Sequence, residues 1–119
     1  MIYIGTDIVP ISRIEKLIIE KGSHFLNHVF TDLEQKICND KVAPSIHYSG
    51  KYAAKEAVKK AVLSSKIVES ISFKSIEIHN DDIGAPVIKM NIDRIDNNKL
   101  KVSISHAGEY AIATAIIVI

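Results

Sequence analysis

The sequence predicts an α+β fold, an antiparallel sheet packed against one long helix with shorter helices beside it. Three observations predict it. Helical signals come mainly first and strand signals mainly last, with turn material between the strands. The longest helical stretch carries small residues at Ala53, Ala54, Ala57 and Ala61, which allow close approach to a sheet. At 119 residues the chain is one domain, residues 1–119, large enough for a single core.

Residues 2–9 alternate: Ile2, Ile4 and Ile8 share one parity, while Tyr3, Gly5, Asp7 and Val9 share the other, which reads as a strand. Pro10 fits the first turn of a helix. Ile11, Ile14 and Ile18 follow at helical spacing, and Gly22 is a natural stop. A short apolar segment spans residues 25–30. Thr31-Asp32-Leu33-Glu34 is a capping box, in which hydroxyl and carboxylate each satisfy a backbone amide, so a short helix should run to about Cys38. Pro44 reopens helix, and the stretch to about Ser65 is rich in alanine, lysine and other good helix formers. Residues 71–79 are β-branched and aromatic and read as a strand. Residues 80–86 are turn material, 87–92 alternate again, and 96–98 mark a second turn. Leu100, Val102 and Ile104 form one face of a strand, with Lys101, Ser103 and Ser105 opposite. Residues 106–109 look like a hairpin connection. The final strand, residues 110–119, is apolar on both parities, which suits a central strand or one covered by a partner chain.

Composition excludes several classes. Net charge is +1, against the basic excess of a domain built to grip nucleic acid. Charged residues at 24% and hydrophobic residues at 47% describe a globular chain rather than a disordered tail. The lone Cys38 cannot form an internal disulfide; a structural thiol and a cytoplasmic setting are the simple readings. The N-terminal apolar run has no basic segment before it and is broken by Asp7, so it is no signal peptide. The C-terminal apolar run is too short to cross a bilayer as a helix.

Three features bear on chemistry. Asp7 lies on a strand face with Gly5 and Val9, where an acid is costly unless paired, metal-bound or used as a helix cap. Glu56 and Lys60 are four apart on one helix face, an ordinary ion-pair spacing, but alanines surround them. Ser103-Ile104-Ser105-His106 suggests a serine hydrolase, yet neighbouring strand side chains diverge and no Gly-x-Ser-x-Gly elbow exists.

The order of these features is more specific than any one of them. Gly5-Thr6-Asp7-Ile8-Val9, Arg13-Ile14, Phe30-Thr31 with Glu34, Tyr52-Ala53-Ala54-Lys55-Glu56-Ala57 with Lys60-Ala61, Gly84-x-Pro86 and Val102-Ser103-Ile104-Ser105-His106 follow one another along the chain. In this, the sequence resembles the holo-acyl-carrier-protein synthases of the 4′-phosphopantetheinyl transferase family, whose G-x-D and K-E-A-x-x-K-A motifs are intact.

The resemblance implies transfer of phosphopantetheine from coenzyme A to a serine of apo acyl carrier protein, for fatty acid biosynthesis. It implies Mg²⁺ held by Asp7 and Glu56. For that reaction a carboxylate or a metal-bound water can accept the serine proton, with Glu56, directly or through water, the candidate, and Lys60 can stabilise or protonate the departing phosphate oxygen. Lys51, Lys55, Lys60, Gly84, Pro86, Ser105 and His106 would contact coenzyme A, and Arg13 the acidic carrier protein. Relatives of this length act as homotrimers with sites between subunits. Three departures stand out: Lys51 where arginine is common, Val62-Leu63-Ser64-Ser65 in place of a glycine-rich loop, and Ile83 where a polar residue is common. Other readings are a transferase serving polyketide or peptide synthase carriers, and a non-catalytic carrier-binding subunit.

Overall fold

The computed structural model describes all 119 residues. Strand β1 (Ile2–Pro10) leads into helices α1 (Ile11–Lys21), α2 (Ser23–Val29), α3 (Asp32–Asn39) and α4 (Pro44–Ser65). Strands β2 (Ile76–Asn80), β3 (Pro86–Met90), β4 (Leu100–Ala107) and β5 (Tyr110–Val118) complete the chain. The α+β class is as the sequence predicts, but the strands divide into two antiparallel sheets. One is three-stranded, in the order β1-β5-β4; the other is the β2–β3 hairpin.

The sequence explains most boundaries. Pro10 caps α1 rather than entering it, and Gly22 ends it at φ 54°, a left-handed value that glycine adopts without penalty. The Thr31 box forms as expected: Glu34 N–H donates to the Thr31 hydroxyl at 3.3 Å, and Thr31 N–H donates to Glu34 Oε1 at 2.8 Å. The apolar segment at 25–30 is the second helix. The strand expected from residue 71 begins at Ile76, because Phe73–Ser75 form a 3₁₀ turn. The hairpin connection is tighter than expected, with strand on both sides of Gly108 and Glu109.

The last strand is central, pairing with β1 on one side and β4 on the other. One of its parities, Ala111, Ala113, Ala115 and Ile117, is buried. Small side chains there let α4 lie close across the sheet. Ala53, Ala54, Ala57, Val58, Ala61 and Val62 of α4 are wholly buried against it. No helix is long and apolar enough to cross a membrane.

Candidate active site

The site begins at Gly5. A Cβ there would overlap the Ala57 carbonyl oxygen and lie 2.7 Å from the Ala61 amide nitrogen. Backbone of β1 therefore lies directly on α4, an approach only glycine permits. Asp7, two residues on, has the same parity and stands beside the next stretch of the helix. There Lys60 Nζ donates to Asp7 Oδ1 at 3.1 Å and to the Thr6 carbonyl at 2.9 Å. The Asp7 side chain is 16% exposed and that of Lys60 52%, so the acid is mostly covered while the ammonium stem lies open to solvent.

Asp7 does not cap α1, whose N-terminus receives no side-chain hydrogen bond. Nor do Glu56 and Lys60 pair. Lys60 reaches across to β1, and Glu56 Oε1 lies 3.7 Å from Lys59 Nζ instead. Burial raises the Tyr52 phenol above its ordinary value; the Glu56 and Asp7 carboxylates add to this, and the Arg13 guanidinium opposes it. These four side chains thus share one neighbourhood, drawn from β1, the start of α1 and the middle of α4.

Asp7 and Glu56 offer carboxylate oxygens from two elements, a donor set that fits a hard divalent cation such as Mg²⁺. No third acidic, histidine or cysteine side chain joins them. The remaining positions of such an ion would fall to phosphate oxygens and water.

A separate cleft of about 650 Å³ opens between the start of α4, the β2–β3 hairpin and β4. Lys51, Gly84, Pro86 and His106 line it, as do Lys41 and His47. Lys51 is 6% exposed and donates to the Ile78 carbonyl at 2.7 Å. That bond leaves two of its three donors for a ligand. The His47 imidazole is held below its ordinary value by burial first, then by Lys41, His106 and Lys51. Asp81 and Asp82 of the hairpin turn line the cleft as well, so four basic groups face it against two acids, an excess that suits a phosphorylated ligand. Gly84 has φ 86°, a conformation that fixes glycine at the hairpin tip.

Two expected coenzyme A contacts lie elsewhere. Lys55 is wholly buried. It pairs with Glu34 and donates to the carbonyls of Val29 at 2.7 Å and Phe73 at 3.2 Å. Three acceptors meet its three donors, so it binds the protein's own core rather than phosphate. Ser105 has the opposite parity to Ile104 and His106 and is exposed on the other face of β4, outside the cleft. Arg13 is exposed on the first turn of α1. Sequence reasoning missed Lys41, His47 and Lys59. His47 was within reach of it, since it lies four residues before Lys51 on one helix face.

The chain as a whole has known relatives. The 4′-phosphopantetheinyl transferase superfamily profile matches residues 3–115. The chain belongs to this superfamily. Two curated members are similar along nearly their whole length. The holo-acyl-carrier-protein synthase of Chlamydia pneumoniae is 42% identical over 118 residues, covering 98% of this chain and 96% of the relative. That of Protochlamydia amoebophila is 41% identical, covering 95% and 94%. Among solved structures, the Helicobacter pylori holo-acyl-carrier-protein synthase in complex with coenzyme A superposes with a TM-score of 0.83 at 36% identity, covering 97% of this chain and 99% of that one. The Neisseria meningitidis synthase reaches 0.85 at 28% identity, covering 99% of both chains. The fold class and the family resemblance read from the sequence are both borne out.

Proposed function

We propose that this chain, acting as a single domain, transfers 4′-phosphopantetheine from coenzyme A to a serine of apo acyl carrier protein. The observation that carries this reading is end-to-end similarity to holo-acyl-carrier-protein synthases, with both family motifs intact on elements that touch. In the reaction the serine oxygen attacks the β-phosphorus of coenzyme A, and the bond from that phosphorus to the oxygen bridging to the α-phosphate breaks. The products are holo acyl carrier protein and adenosine 3′,5′-bisphosphate.

Each side chain has a part. Glu56 takes the serine proton, directly or through one water. Lys60, half exposed, leaves Asp7 and meets the charge growing on the departing phosphate. Asp7 and Glu56 would hold Mg²⁺, which when bound neutralises charge on the diphosphate. Lys51, His47, Lys41 and His106 would hold the remaining phosphate in the cleft. Arg13 would meet the acidic carrier.

Lys51 and Glu56 are five residues apart on α4, so they point roughly 140° apart around the helix. One chain thus carries two half-sites facing different ways. A homotrimer with sites at its interfaces would bring Asp7 and Glu56 of one chain to the cleft of the next. A cytoplasmic setting follows from the substrates.

The test is direct. Incubation with coenzyme A, Mg²⁺ and an apo carrier protein should add phosphopantetheine, read by mass spectrometry. Addition should stop with EDTA and fall by about two orders of magnitude or more in Glu56→Gln. Wild-type protein that modifies no fatty acid, polyketide or peptide carrier would instead be a binding subunit.

A further inference from the structure

We infer that Lys59 and Phe73 form a positioning pair that orients Glu56, an inference that rests on the transferase reading above. Glu56 Oε1 faces Lys59 Nζ at 3.7 Å, with side chains 27% and 25% exposed. A pair of neighbours on a helix surface ordinarily holds little orientation, because both side chains are free to move. Lys59 is not free in this way. Its ammonium lies 4.1 Å from the centroid of the Phe73 ring, well inside cation–π range.

Phe73 is itself fixed from several sides. Its ring stacks on Tyr52 with centroids 5.6 Å apart and planes 28° apart. Tyr52 lies one helical turn before Glu56 and is backed by Phe25 at 6.4 Å. His28 meets the Phe73 ring edge-on at 6.3 Å. The Phe73 carbonyl accepts from the buried Lys55 ammonium at 3.2 Å. The result is a continuous line from the buried Lys55–Glu34 pair, through the Phe73 backbone and ring, to Lys59 and then Glu56. It also gives the 3₁₀ turn at Phe73–Ser75 a purpose, since that turn presents the ring to α4 rather than to the sheet.

The surroundings make a tether necessary. A cleft of about 420 Å³ opens beside Lys59, lined also by Asn27, His28, Ser72, Phe73 and Lys74. Without the ring, the Lys59 ammonium has open space to swing into and nearby cations to avoid. With it, Lys59 stays on Oε1 and leaves Oε2 for the reacting side. Lys59 and Phe73 therefore act through Glu56, not on the substrate.

Steady-state transfer kinetics on Lys59→Ala, Lys59→Arg, Phe73→Leu and the Ala/Leu double variant test this. Both Lys59→Ala and Phe73→Leu should lower kcat by about tenfold through loss of orientation. The KM for coenzyme A should stay within about twofold of wild type. Lys59→Arg should restore activity, since a guanidinium keeps both the ion pair and the ring contact. The double variant should be no worse than either single one, because tether and tethered group act as a unit. Additive losses would overturn the inference. So would a rise in KM confined to Lys59→Ala, the mark of a lysine gripping substrate phosphate; either result leaves the transferase reading intact. A wild-type chain that transfers nothing would remove both.

Discussion

The residue that departs furthest from expectation is Lys55. Its motif is plain in the sequence, and a lysine beside a glutamate proposed to bind metal invites a phosphate-binding role. Its partner, Glu34, lies on another helix and reads in the sequence only as a capping acid. Nothing local signals that both are buried; that follows from how α3, α4 and β2 come together. Glu34 Oε2 also accepts from Ile78 N–H at 2.7 Å, so the pair ties four segments to α4. Removing one partner leaves a buried charge alone, which typically costs about 3–5 kcal/mol. Lys55→Ala should therefore lower the unfolding free energy obtained from urea titration by that order, while Lys55→Met combined with Glu34→Gln should cost clearly less than the two single changes summed. A Lys55→Ala protein as stable as wild type would show the pair to be unimportant. Cys38 settles more simply: burial pushes its thiol up to about 11, so at neutral pH it is protonated and inert, as a structural cysteine should be.

At the scale of elements, β1 and α4 carry the residues of the proposed site, and their contact was the most legible part of the molecule. Parity on β1 groups Gly5, Asp7 and Val9, and small residues repeat along α4. Together these describe a strand lying on a helix. Parity alone does not say which face is inward, because the opposite set, Ile2, Ile4 and Ile8, is the more apolar one. Gly5 decides it: the apolar set faces out, and the set with the acid faces the helix. Gly5→Ala should force β1 off α4, at a cost of about 1–3 kcal/mol or more for overpacking. It should also lower transfer activity in protein still folded at assay temperature, because Asp7 moves with the strand. A Gly5→Ala protein with wild-type melting temperature and activity would contradict the close approach. The region from 71 to 76 was less legible, since β-branched and aromatic residues suit a strand and a ring-presenting turn equally well. Phe73 takes the second course because Lys55, Lys59 and Tyr52 all hold it from α4.

Viewed whole, the molecule has one sheet face with no cover. Ile2 and Ile4 are each 62% exposed and Ile8 60%. In register with them on β5 stand Val118, Ile116 and Ile112. Such a run of branched aliphatic side chains on a sheet is larger than scattered surface hydrophobics explain, and it marks an association surface. The sequence hinted at this through a last strand apolar on both parities, but strand order was needed to show which face stays open. Burying each of these side chains stabilises by about 1.5–3 kcal/mol, so a few of them shared among chains suffice to hold an assembly. A charge placed on this face should undo it. Ile8→Glu is expected to retain its circular dichroism spectrum, because the side chain points away from α4. If the chain assembles as the proposed homotrimer, light scattering should show the mass falling from that of three chains in the wild type to that of one in the variant. If the two half-sites on opposite sides of α4 are completed by neighbouring chains, transfer activity should vanish with the assembly while isolated chains stay folded. A fully active monomer would mean that one chain can bring its own cleft to Glu56, and the proposed trimer would then be dispensable to the chemistry.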